Sequence, residues 1–248
     1  MKKIRDYNKL FNEIINLNLP VKIEYIGSAQ YDKEIYPMIA IKHTSKTAKK
    51  TCVIVGGAHG DEYYATRILV KFLPEINNEY LEHYNLYIFP IINPFGYSTG
   101  SRKNGARQDV SSVGNFKKDS DVQELAILYE HIPTNIDLFI DMHGDTGKHF
   151  LYAYEKKPEP MPSISEKALL EVDAILPFEK VSTIYKEKVK NGVIYKPEDD
   201  SSLEDFMEGI GVEYSIALEI PGKAEGQPRT KAGIALLHSL LKNYKEIK

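Results

Sequence analysis

Two hydrophobic periods alternate along this chain. Short continuous apolar runs recur as "CVIVGG" (52–57), "YNLYIFPIIN" (84–93) and "IDLFIDMHGD" (136–145), and "FLYAYE" (150–155) and "VEYSIALEIPG" (212–222) extend the series. Runs of this length without alternation predict strands buried on both faces. Between them lie segments of helical period: about 62–72, 121–132, 163–175 and 231–247, with "SSLEDFMEGIG" (201–211) starting on a serine cap and stopped by glycine. Upstream, "VKIEYIGSA" and "EIYPMIAIKH" are strand-like on either side of "QYDK", which predicts a hairpin. The first 19 residues predict an amphipathic helix with Ile4, Leu10, Phe11, Ile14, Ile15 and Leu17 on its apolar face.

Strands alternating with helices imply an α/β fold with a mostly parallel sheet. The polar stretch 156–162 reads as a loop, because too few elements follow it to build a second α/β domain. The whole chain, 1–248, is therefore expected to form a single domain, with residues 1–50 as a helix and hairpin packed on it. A second polar stretch, 95–120, is long for a loop inside a compact domain, and such loops are usually functional or disordered.

Composition narrows the class. The 32 basic and 35 acidic residues leave a net charge of −3, which gives no general attraction to nucleic acid or to an anionic membrane. No apolar run reaches the roughly 18 residues of a membrane span. The basic N-terminus lacks the apolar stretch of a signal peptide. The single cysteine, Cys52, permits neither an internal disulfide nor a cysteine cluster for zinc. These points lead to the expectation of a cytoplasmic protein acting on a small molecule or peptide, with no nucleic-acid or membrane partner.

The chemistry concentrates where strands end. Ligands of open α/β sheets bind beyond the carboxyl ends of the strands. The first central run leads into His59 and Glu62, the third ends with Asp141, His143 and Asp145, and the last carries Glu219. If these ends are neighbours, two imidazoles and a carboxylate converge, which is a catalytic zinc donor set with an open fourth position. Taken singly, the same residues fit a tight glycine turn and a histidine at a sheet edge.

Three stretches together decide between these readings. "GGAHGDE" (56–62) is followed by "NPFGY" (93–97) and then by Arg102, Asn104, Asp109 and Val110. This series resembles the zinc carboxypeptidase family, with its GG-x-H-x-x-E, NP-x-G-(Y/F) and R-x-N-x-x-G-x-D-L-N-R-x-F motifs. The strand "FLYAYE" after "DMH" is similar to the succinylglutamate desuccinylase and aspartoacylase branch. The resemblance implies a three-layer α/β/α sandwich with a mixed, mostly parallel central sheet and one zinc ion per chain. Its ligands would be His59, Glu62 and His143. Glu219 would be the catalytic base and Arg102 the group that stabilises the oxyanion. Asp141, two residues before His143 on a strand, would orient it or be a plain strand-end acid. Tyr195 stands in the region where the family has a mobile tyrosine over the substrate; it is also one of 17 tyrosines.

The chain departs from the family where substrate is gripped. Asparagine and arginine of the family hold a substrate carboxylate, whereas here those positions are Ser111 and Ser112, and two additional residues precede Phe116. A hydroxyl cannot replace a bidentate guanidinium. With Asn104 and Arg107, where the family has glycine at the latter, these residues make up the expected substrate site. Either another cation serves as the clamp or the substrate has no carboxylate there. The expected activity is hydrolysis of an amide in a small peptide or acylated amino acid; the alternatives are an esterase or deacylase on the same zinc, and a non-catalytic binding relative.

Overall fold

The computed structural model describes residues 2–112, 116–178, 180–195 and 202–247. Helix α1 (Tyr7–Ile15) starts at Asp6, whose side chain caps the Lys9 amide. It buries Tyr7, Leu10 and Ile14, while Ile4 precedes the helix and Ile4 and Ile15 are exposed. The apolar face is therefore shorter than the sequence pattern suggests, and Tyr7 belongs to it. The hairpin forms as expected from β1 (Lys22–Tyr31) and β2 (Glu34–His43), and only Asp32 and Lys33 make its turn. Asp32 takes the positive φ that a two-residue turn requires.

Strand β3 (Lys50–Gly56) leads through a 3₁₀ turn (Gly60–Glu62) into α2 (Tyr63–Phe72). A short α3 (Asn78–His83), capped by Asn77, precedes β4 (Tyr84–Phe89). Strand β4 stops before Pro90, sooner than its apolar run, and Ile92 and Asn93 donate to the Gly56 and Gly57 carbonyls instead. The long polar stretch then holds α4 (Pro94–Thr99), which "NPF" starts efficiently: Asn93 caps the Gly96 amide and Pro94 sits in the first turn. Next come α5 (Gln123–His131), β5 (Leu138–Asp145), β6 (Tyr152–Lys156) and α6 (Ile164–Val172). Three short strands, β7 (Thr183–Ile184), β8 (Glu187–Lys190) and β9 (Val193–Tyr195), have no counterpart in the sequence reading. They are two to four residues long, too short to show a period. The chain closes with α7 (Leu203–Gly209), β10 (Tyr214–Pro221) and α8 (Gly226–Lys245). None of the described helices is long and apolar enough to cross a membrane.

Among the described residues ten strands form one mixed sheet in the order β1-β2-β4-β3-β5-β10-β6-β9-β8-β7. Its centre, β4-β3-β5-β10, is parallel, and antiparallel pairs flank it on both sides. Alternate residues of the central strands feed two cores. Cys52, Ile54, Leu138 and Ile140 pack with α2, α6 and α8; Val53, Val55 and Phe139 pack on the other face with Leu125 and Leu128 of α5 and Met207 of α7. Burial on both faces is why these strands read as unbroken apolar runs, and it makes the fold a three-layer α/β/α sandwich. At about 25 cal/mol per Å² of apolar surface, each fully buried Leu, Ile or Val contributes roughly 1.5–3 kcal/mol to holding these layers together. The topology also puts the carboxyl ends of β3, β5 and β10 side by side.

Candidate metal centre

Parallel pairing sets the register: Glu219 of β10 lies beside His143 of β5, and Tyr152 of antiparallel β6 lies on the other side of Glu219. His59 and Glu62 come from the turn after β3. That turn is possible because Gly60 has no side chain: a Cβ there would lie 1.9 Å from the carbonyl of Gly96. Gly57 supplies a positive φ of 71°. Asn93 ties the parts together, donating to the carbonyls of Ala58 and Arg102 while its own carbonyl caps α4. The "GGAHG" and "NPFG" stretches are thus one scaffold, clipped so that His59 and Glu62 face β5.

His59, Glu62 and His143 are all buried, and one donor atom from each lies within 4.8 Å of the others. His59 Nδ1 is 2.9 Å from Glu62 Oε1, and His143 Nδ1 is 3.1 Å from both Glu62 Oε2 and His59 Nδ1. The far nitrogens are held by acids. His143 Nε2 lies 3.0 Å from Asp141 Oδ2, and His59 Nε2 is within hydrogen-bond reach of Asp109 Oδ1 at 3.2 Å and Ser111 Oγ at 3.1 Å. With the ring protons on Nε2, towards those acids, the two Nδ1 lone pairs would face one another across 3.1 Å. Such an arrangement repels unless a positive charge sits between the lone pairs. Two imidazoles and a carboxylate with acid partners behind the imidazoles are a donor set that suits zinc.

The surrounding carboxylates favour positive charge at this centre, whether a proton or a metal ion supplies it. Burial works against a charged His143, but the Asp141 and Glu62 carboxylates outweigh it and hold its pKa well above the usual range. His59 is raised too: burial and His143 oppose its charge, and Asp109 and Glu62 prevail. Burial alone would raise Glu62, yet His143 and His59 hold it below the usual carboxylate range. Its oxygens also accept from Arg102 Nη1 at 3.2 Å and the Gly144 amide at 2.9 Å. Glu219 behaves in the opposite way. Its enclosure, together with the nearby carboxylates of Glu62, Asp145 and Glu204, raises its pKa well above the usual range against the pull of His143.

These groups open onto a pocket of about 310 Å³ lined by His59, Glu62, Arg102, Ser111, His143 and Glu219, among others. The other residues of the expected substrate site lie elsewhere. Asn104 is buried, and its side chain is occupied by Glu124, Gln108 and the Ala106 and Gln108 amides, so it braces the loop. Arg107 is exposed with φ 64°, the left-handed backbone that explains a glycine at this position of the motif. Tyr195 lines a separate surface cavity with Glu166 and Lys190. Ser112 is not among the pocket residues, and the two additional residues before Phe116 fall in 113–115, outside the described residues. Ser111 does reach the pocket, as a support for His59. Asp145, noted in the sequence at the end of its strand, lines the pocket; sequence reasoning missed Asp109 as that support, although it falls in the motif, and missed Tyr152, Tyr154, Tyr185 and Glu204 along the pocket wall. Tyr185 sits at a positive φ of 50° in the unforeseen β7–β8 turn, so no local pattern announced it.

A parallel-centred α/β sheet with a His-x-x-Glu turn and a histidine at the adjacent strand end defines a carboxypeptidase-like fold with a candidate metal centre. The succinylglutamate desuccinylase/aspartoacylase catalytic domain matches residues 48–176, just over half of the chain, and the chain belongs to that family. The match spans His59, Glu62, Arg102 and His143; Glu219 lies beyond it. No curated protein matches the chain. Among solved structures it is similar to a candidate metallopeptidase of Shewanella denitrificans OS217, with 23% identity, TM-score 0.79, and 97% of this chain and 90% of that one covered. A second, from Shewanella amazonensis SB2B, has 21% identity and TM-score 0.78, with 95% and 91% covered. A metallo-carboxypeptidase of Burkholderia cenocepacia has 20% identity and TM-score 0.67, with 96% and 68% covered. At these identities the likeness is one of fold.

Proposed function

We propose that this protein is a zinc-dependent hydrolase that cleaves an amide bond in a small peptide or an acylated amino acid. The observation that carries the reading is the meeting of His59, Glu62 and His143 beside Glu219 in one pocket. Zinc held by these three residues would lower the pKa of water towards ~7 and polarise the scissile carbonyl. Asp141 and Asp109 lie behind the two imidazoles, and with the ring protons turned to those acids both Nδ1 atoms would bind the ion. Glu219 takes a proton from the attacking water and delivers it to the leaving amine, and its raised pKa suits a group that must hold the proton in between. Arg102, half exposed at the pocket mouth, donates to the oxyanion as charge develops. Within this reading, the acylated amino acid is the substrate type favoured by the family to which the chain belongs.

Replacing Glu219 by glutamine separates binding from chemistry. The variant should retain zinc and lose turnover by about 10²–10⁴-fold, the usual share of a general acid–base group. Turnover that survives the change would contradict the mechanism.

A further inference from the structure

The wall of the pocket is unusually acidic. Asp61, Glu62, Asp145, Glu204 and Glu219 line it against a single guanidinium, that of Arg102. With a divalent ion at the triad the formal charge of the lining is still negative, and protonation of Glu219 leaves it so. Arg102 is itself engaged, by Glu62 at 3.2 Å and Asp109 at 3.6 Å. Ser111, at a position where the family grips a carboxylate, donates to Asp109 instead. No other cation among the described residues lines the pocket.

A second feature of the wall points the same way. Tyr152, Tyr154 and Tyr185 supply its aromatic surface, and among the described residues no aliphatic side chain longer than threonine lines it. The hydroxyls of Tyr152 and Tyr185 both donate to Asp145 Oδ2, at 2.9 and 2.6 Å, which fixes that carboxylate between two rings. Lys148 holds its ammonium over the Tyr185 ring at 4.5 Å, which shows the sign of charge that ring attracts. Carboxylates braced by electron-rich rings attract cations and repel anions, and both effects grow as water is excluded.

We infer that the pocket selects a substrate bearing an amine in its cationic form and rejects one bearing a free carboxylate in the same place, with Glu204 and Asp145 as the specificity-determining residues. The inference rests on the hydrolase reading of the same pocket and names its substrate class.

Three five-carbon amides of matched size test it by titration calorimetry on the zinc-loaded protein: 5-aminopentanamide, pentanamide and the glutaric acid monoamide. The ammonium compound should bind about tenfold more tightly than the neutral one at low salt, and the carboxylate compound more weakly than either. The preference should narrow as salt rises. Glu204→Gln and, independently, Asp145→Asn should each reduce the ratio of ammonium to neutral affinity severalfold. Equal affinities, tighter binding of the carboxylate compound, or no binding by any of the three would overturn the inference. Methylamine release from the corresponding N-methylamides tests the hydrolase reading separately: failure to cleave any of them contradicts hydrolysis and leaves the order of binding affinities as it is.

Discussion

The two histidines of the centre are supported by different parts of the molecule. His143 stands on β5, in the middle of the sheet, and its partner Asp141 is two residues upstream on the same strand with no exposed surface. His59 stands in a turn, and its partners Asp109 and Ser111 come from the long loop, where the Asp109 side chain is 31% exposed. One half of the site is held by sheet hydrogen bonds and core packing. The other is held by a loop that is itself pinned from beneath, through Asn104 to the buried carboxylate of Glu124. A donor set shared between a rigid and a more yielding element has one fixed ligand and one that can adjust as coordination changes.

If the contrast is real, matched changes behind the two rings will have unequal effects. Asp141→Asn should weaken zinc affinity by about 100-fold and Asp109→Asn by nearer 10-fold, the two ends of the range for carboxylates behind metal-bound histidines, in competition titrations with a chelating dye. Equal losses would remove the distinction. Asn104→Ala leaves Glu124 short of a donor and should cost about 1–3 kcal/mol of unfolding free energy by denaturant titration.

Glu124 also gives the loop a pH signature. Burial raises its pKa, against the donors Tyr31 and Asn104. The folded state therefore prefers the protonated acid. The contribution is fully present below the ordinary value of 4.5 and is lost as pH rises through the raised folded value. Melting temperatures measured across that window should fall more steeply for the natural chain than for Glu124→Gln; parallel curves would contradict the assignment. The smallest effect expected is that of Ser111→Ala, a few-fold change in zinc affinity, since Asp109 still holds His59.

The same contrast explains what the sequence allowed to be read. His59, Glu62, His143 and Glu219 could be picked out because each follows or ends an apolar run, and a polar residue there is conspicuous. That β3, β5 and β10 are neighbours is a matter of topology, for which the α/β rule gave a sound expectation. The loop was harder. The motif located Asn104 and Ser111 but could not say that one side chain turns inward to Glu124 and the other to His59. The far wall was hidden altogether, because Tyr185 and Glu204 come from a two-residue turn and the first turn of a short helix, and their meeting depends on the order of β10, β6 and β9.

The most direct measurement is metal content per chain, for the natural protein and for His143→Ala, after loading with zinc and removal of the excess. The account predicts about one zinc per chain, lost in the variant while its far-UV circular dichroism is unchanged. No zinc in the natural protein, or equal zinc in both, would contradict a centre shared between the β3 turn and β5.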